Sequence, residues 1–406
     1  MAFFVRILGA FFFSILYQYY YGYGDSLMYF NEARILHQHI MENPSNIHYL
    51  FSSIEEYRKL YDPAINSTIP EFYNANTLLT IRITTVFTFL SGNTYLTTSV
   101  FFALVSFTGV WLIFSIFISI APKQKRQLAW GILFFPTLIF WSSGIMKDSL
   151  CIAAIGWMFY CLYKFFIHKR RKIIYLIAII LSALILLIIK SYILIAFLIT
   201  IGLVILFKLY KKVKSLVLRI TVIISLIIII VSIFSTNNWI SSSFENINVD
   251  MMIQEISQLQ TNYESSSISD DSNFKFGEIN PTIGGLLEKL PFAITTVLYR
   301  PFLWECKKLI MFLSGLENII MMILTIYVII KSGFKIFRII IDNSLIQFCL
   351  IFTIVLAAMI GFTTFNFGTM IRYKTPLLPF YSGFLILLYY YGAKFRTVHA
   401  NLIITK

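Results

Sequence analysis

Charge is what this sequence has least of. Only 13% of its 406 residues are charged, while 58% are hydrophobic and 17% aromatic. A water-soluble domain of that length cannot cover so much apolar surface with so few charges, so the soluble globular classes are excluded. The mean hydropathy of +0.78 agrees. Histidine and cysteine are also scarce, at five and four. Cys151, Cys161, Cys306 and Cys349 lie in or beside apolar runs, with no Cys-x-x-Cys, and read as small membrane hydrophobes. His37, His39 and His48 share one loop, with His37 and His39 on different faces of a helix, and His168 and His399 are remote; no metal is expected. There is no Gly-x-x-x-x-Gly-Lys-Ser/Thr loop, dinucleotide fingerprint, His-Glu-x-x-His or Gly-x-Ser-x-Gly, which argues against an ATP-driven pump or a soluble-cofactor enzyme. No cofactor is expected.

Long apolar runs are what the sequence does have. Ten are candidate spans: near 3–21, 97–120, 127–143, 149–166, 173–189, 192–210, 216–235, 309–330, 344–364 and 376–392. The first follows Arg6 and ends in tyrosines rather than in a small-residue cleavage site, so it reads as a retained span rather than a signal peptide. The expected fold is an all-α polytopic membrane protein, residues 1–406 forming one membrane domain. The net charge of +14 would suit nucleic acid, but the cations sit in short loops between apolar runs. They obey membrane topology instead. With the N-terminus inside, Lys123, Lys125, Arg126, the basic run His168 to Lys172, Lys208, Lys211, Lys212, Lys214, Lys331, Lys335 and Arg338 are all cytoplasmic, and Asp342 is the one acid among them. Both termini are then cytoplasmic, and the high Ile, Phe, Lys and Asn content, with no targeting motif, suits a bacterial inner membrane.

Two outer loops are too long to be simple connectors. The first, 22–96, contains Asn76–Leu90, apolar but short and carrying Arg82; it reads as an interfacial or re-entrant helix, as does Leu290–Trp304 with Pro291, Arg300 and Pro301. The second, 236–308, is rich in Ser, Asn, Asp and Glu, with Ser265-Ser266-Ser267 and Ser269-Asp270-Asp271-Ser272 near its centre, and reads as partly disordered. Asn66-Ser67-Thr68 matches a glycosylation acceptor, a pattern too short to carry weight.

Polar residues gather at the outer boundary. Asp25, Tyr29 and Glu32, at i, i+4 and i+7 just after the first span, share one helix face. Asp25 is either a general base at the mouth of the span or a dipole-favoured first-turn acid. Lys147 and Asp148 lie between spans three and four, Lys190 between five and six, Arg300 before span eight, and Arg372 with Tyr373 between nine and ten. Each cation is either a snorkelling anchor or part of an anion site; the positive-inside rule disfavours cations in short outer loops, and an anionic ligand would account for them. Glu317 lies inside span eight and is expected to face the bundle interior.

The run Gly24-Asp25-x-x-x-Tyr29-x-x-x-Ala33 after the first span resembles the start of the GT-C superfamily, the multispan glycosyltransferases that use polyprenyl-phosphate-linked sugars. Arg372-Tyr373-x-x-Pro376-x-x-Pro379 is similar to a late-loop pattern of bacterial members. Where many members carry a second acid beside the first, this chain has Ser26. The resemblance implies a GT-C-like fold with interfacial helices in the first outer loop and Asp25 as catalytic base. Tyr29, Glu32, Lys147, Asp148, Lys190, Arg300, Arg372 and Tyr373 are then the substrate-binding candidates. The partners would be a polyprenyl-phosphate-linked sugar, a glycan acceptor and membrane lipids, in cell-surface polysaccharide synthesis. Two readings stay beside it: a polymerase or ligase of lipid-linked repeat units, and a lipid-linked glycan transporter.

Overall fold

The computed structural model describes residues 1–58, 74–167, 172–212, 256, 258–261, 272–274, 276–277, 280 and 282–404. The glycosylation-like Asn66-Ser67-Thr68, the apolar run 216–235 and the serine-rich centre of the second outer loop up to Asp271 lie outside them. The chain divides into two compact units, Met1–Leu194 and Ile195–Lys406.

In the first unit, α1 (Ala2–Ile15) continues through a π-helical turn, Leu16–Tyr21. The chain then reverses through Gly22 and Gly24, at φ +68 and +124, a backbone that a side chain would strain. It enters α2 (Asp25–Glu42), followed by α3 (Ala75–Ser91), α4 (Tyr95–Ile120), the short α5 (Pro136–Trp141) and α6 (Lys147–Leu162). Asn74 caps α3, its side chain accepting from Thr77 N, and Gly92 at φ +65 ends it. The expected interfacial helix at Asn76–Leu90 is therefore a helix, packed on α2 and turning tightly into α4.

Six helices among the described residues are long and apolar enough to cross a membrane: Ala2–Tyr21, Tyr95–Ile120, Lys147–Phe166, Ile173–Lys211, Ile310–Ser332 and Ser344–Thr363. The run expected to span at 127–143 is not one helix. A helical turn, Lys125–Leu128, passes into a π-turn, Ala129–Leu133; the chain breaks before Pro136, and α5 is only six residues long. α4 and α6 run alongside each other on small residues: a Cβ at Gly109 would lie 2.6 Å from Ala153 Cα, and one at Gly156 would collide with the Gly109 backbone. Because Ser106, near the middle of α4, donates to the carbonyl of Ser142, the turn after α5 is sunk into the bundle. Lys147, five residues after Ser142, then starts α6. Arg6 of α1, buried, holds the same turn by donating through Nη1 to Leu138 O (3.2 Å) and Ser142 Oγ.

The helix α7 (Ile173–Lys212) covers two of the expected spans. At 40 residues it would extend about 60 Å, twice the apolar thickness of a bilayer. Its backbone leaves helical geometry at Lys190 (φ −147, ψ 77), the residue between the two runs, and the boundary between the units falls just beyond.

The second unit contains α8 (Ile283–Tyr299), α9 (Leu309–Ser332), α10 (Lys335–Asp342), α11 (Ser344–Thr363), α12 (Phe367–Tyr373) and α13 (Leu378–Ile404). The last covers the expected run at 376–392. The segment expected to be interfacial at Leu290–Trp304 starts earlier, as α8, contains Pro291, and ends before a cis Arg300–Pro301 bond. α8 packs on α11, with a Cβ at Gly361 falling 2.7 Å from Ala293 O. The described part of the second outer loop is tied down by backbone bonds from Phe274 N to Phe365 O (3.0 Å) and from Phe367 N to Ser272 O (2.9 Å).

Candidate functional site

In the first unit the starts of three helices converge. Asp25 opens α2, where its charge is favoured by the helix dipole, and its side chain is exposed. Ser26 is buried, its Oγ 2.7 Å from Tyr95 OH, which pins α2 to α4. Tyr29, one turn on, is buried, and Glu32 is half-buried. The shared face thus runs from solvent into the bundle, and Tyr29 is part of its floor.

Lys147 crosses to this floor. Its Nζ lies 5.5 Å from the centre of the Tyr29 ring and donates to Asn76 Oδ1 (2.7 Å) and Thr77 Oγ1 (3.0 Å) in the first turn of α3. A cation as the first residue of a helix opposes the dipole of that helix, so its place is set by these neighbours rather than by α6 itself. Asn76 and Thr77 were read only as part of an apolar helix; the Asn-x-Asn-Thr pattern around its cap was the available signal.

Asp148, the next residue, points the other way. It is fully buried and accepts from Lys190 Nζ at 2.5 Å, and Lys190 is itself only 7% exposed. Both were expected near the outer boundary as substrate-binding candidates, Lys190 as a cation for an anionic ligand. They face each other instead, because a buried charge is tolerated only when paired, and the pair fastens the break in α7 to the start of α6.

In the second unit, Arg300 is enclosed. Its guanidinium lies 5.2 Å from the ring centres of Phe274 and Phe367 and 5.9 Å from that of Phe292, and its Nε donates to both oxygens of Glu305 at 3.1 Å, with Nη2 bonded as well. Glu305 Oε2 also accepts from Phe302 N at 2.8 Å, which closes the turn. Arg300 therefore has a resident carboxylate. Glu305 lay within the Tyr299 to Glu305 run without a role, since a five-residue separation does not reveal a clasp.

Beneath that turn Lys374 is buried and donates to Asn318 Oδ1 (2.7 Å) and Arg300 O (3.3 Å), while Asn318 Nδ2 donates to Pro301 O (3.1 Å). Burial pushes the Lys374 ammonium down to about 8, against the upward pull of Glu317 and Cys306. The buried Glu317 thus faces the bundle interior, as expected, and its charge acts on Lys374. Burial, then the Glu305 charge, pushes the Cys306 thiol up, with Lys374 opposing. Arg372 and Tyr373 are half-buried at the end of α12, whose cap Asn366 accepts from Thr369 N at 3.1 Å.

A family model described as a predicted membrane protein (DUF2142) matches residues 53–268, more than half of the chain. The chain belongs to that family. No curated protein and no solved structure matches it. The matched stretch holds Asn76, Thr77, Lys147, Asp148 and Lys190, while Asp25, Arg300 and Arg372 lie outside it. Taken with its apolar helices, this makes the protein an all-α membrane protein.

Proposed function

We propose that this membrane protein is an inverting glycosyltransferase of the GT-C type, moving a sugar from a polyprenyl-phosphate carrier to a glycan acceptor at the outer face of the bacterial inner membrane. Ten spans and cytoplasmic termini belong to the same proposal. The observation that supports it best is Lys147, held by Asn76 and Thr77 over the ring of Tyr29, one helical turn from Asp25. A cation recessed into the bundle and an exposed carboxylate on the neighbouring helix are the two charges this reaction needs. Asp25 takes the proton from the acceptor hydroxyl. The acceptor oxygen forms a bond to the anomeric carbon as the bond from that carbon to the phosphate oxygen breaks, and the electron pair leaves with the polyprenyl phosphate. Lys147 balances the charge on that phosphate. Asp148, Lys190 and Arg300 hold the fold rather than the substrate.

The test is the surface-glycan profile of a strain lacking the chain, complemented with wild type, Asp25→Asn or Lys147→Met, with chain length and lipid-linked intermediates read on gels. Asp25→Asn should leave the protein folded and fail to restore one sugar; Lys147→Met should slow transfer by on the order of 100-fold. Full restoration by both variants would refute the proposal, and intact single repeat units without long chains would replace it with a polymerase.

A further inference from the structure

We propose that α10 and the basic ends around it form a binding site for anionic phospholipid headgroups, independent of the transferase reading. The helix joins α9 to α11, both long and apolar enough to cross the membrane, so it lies at a membrane boundary. Its circumference divides into three. Ile339 is buried against the protein. Phe334, Phe337 and Ile341, at i, i+3 and i+7, form an apolar stripe that is 96%, 66% and 45% exposed. Lys335, Arg338 and Asp342, with the same spacing, form a polar stripe beside it.

A soluble surface would not expose three large apolar side chains on eight residues; a helix lying in the headgroup layer would, with the apolar stripe among the acyl chains and the cations at phosphate depth. The charges around it select the headgroup. Lys211 reaches from the end of α7 to donate to Ile341 O (2.7 Å) and Asp342 Oδ1 (3.1 Å), which brings the exposed Lys208 of the same helix to the C-terminal end of α10. Lys331, in the last turn of α9, lies 5.9 Å from the ring of Tyr327, on the N-terminal side. Asp342 is shared by Lys211 and, at 3.8 Å, Arg338, while Lys335 in the first turn of α10, Lys331 before it and Lys208 one turn before Lys211 carry no acid among their described ion pairs. The net surplus is positive, and Lys335 and Arg338 project next to the apolar stripe where a lipid phosphate would sit. Arg338 can hold phosphate through two N–H groups, while Lys335 acts as a point charge.

The experiment is native mass spectrometry of the full chain released from nanodiscs containing equal amounts of phosphatidylglycerol and phosphatidylcholine, for wild type, Lys335→Gln/Arg338→Gln and Phe334→Ser/Phe337→Ser. Wild type should retain phosphatidylglycerol preferentially. The charge variant should lose roughly fivefold of that preference per cation removed. The apolar variant should retain less of both lipids while keeping the preference. Adding inorganic phosphate should not displace the lipid. Equal retention of the two lipids by wild type, an unchanged preference in the charge variant, or displacement by phosphate would overturn the proposal. Circular dichroism and elution volume establish that each variant is folded, and Lys335→Arg, which keeps the charge, should keep the preference even if the double variant does not fold.

Discussion

Removing Lys190 while leaving Asp148 in place separates what the buried ion pair does from what surrounds it. Asp148 is fully buried and Lys190 nearly so, at 2.5 Å, so Lys190→Met would take the paired cation away from a carboxylate held out of water. Breaking such a pair from one side destabilises by about 3–5 kcal/mol. The upper end has an independent bound: a stranded carboxyl can always take up a proton, and doing so at pH 7 from an ordinary value near 3.9 takes about 4 kcal/mol at 1.36 kcal/mol per pH unit. Position adds an asymmetry. Asp148 sits in the first turn of α6, where the dipole supports a negative charge by about 0.3–1 kcal/mol; Lys190 sits at a break in α7 and has no such support. Asp148→Asn should therefore be the more damaging single change. The double variant Asp148→Asn/Lys190→Met, which strands no charge, should be less destabilised than the sum of the singles by about 2 kcal/mol or more. Thermal unfolding of detergent-purified protein, followed by loss of the monodisperse elution peak, reads this directly. At roughly 2–4 °C per kcal/mol, each single variant should fall by about 6–20 °C. Single variants within about 2 °C of wild type, or a double variant as unstable as the summed singles, would refute the assignment of this pair as the fastening between α6 and α7.

Two further predictions concern the second unit. Arg300→Lys keeps the charge but not the planar fork that bonds Glu305 while lying among Phe274, Phe292 and Phe367; it should lower the stability by about 1–3 kcal/mol, read as a lower unfolding temperature, and a variant as stable as wild type would mean that the clasp does not order this turn. For Lys374, the folded value of about 8 lies below the unfolded 10.5, so between those values the unfolded chain holds a proton that the folded chain has released. Stability should accordingly rise with pH across that window relative to Lys374→Gln, by a few kcal/mol in all, and the penalty should be fully present below pH 8. Parallel pH profiles for the two proteins would show that Lys374 is not in the buried setting assigned to it.

The class of this protein follows from composition alone. A chain with so few charges and long apolar runs must place those runs in lipid, and helices are the structures that satisfy every backbone group within one segment. The helix at Asn76–Leu90 was legible for a local reason, a short apolar run; Asn74, which caps it, and Gly92, which ends it, were local signals left unused. The break at Lys190 was legible as a polar interruption in hydrophobic sequence. By contrast, the third apolar run carries the composition of a span but does not form one helix, because Pro136 interrupts it and the following turn is drawn inward by Ser106 and Arg6, both remote in sequence.

The same division holds for the candidate site. Asp25, Tyr29 and Glu32 could be placed on one face because helical periodicity is a local property. Which of them faces water was not, since burial is set by what packs from elsewhere, and Tyr95 and Lys147 decide it. The cations between the apolar runs were recognisable as unusual, yet sequence gives a charge no partner. Tertiary structure sent adjacent Lys147 and Asp148 to different tasks, one over Tyr29 beside Asn76 and Thr77, the other into a buried ion pair with Lys190, and it gave Arg300 to Glu305. Sequence by itself determined that this chain lives in a membrane and that it is interrupted at Lys190; the break within the third apolar run and the pairing of the few charges were decided by the fold, because an ion's energy inside a bundle depends on the group a few ångströms away and not on its neighbours along the chain.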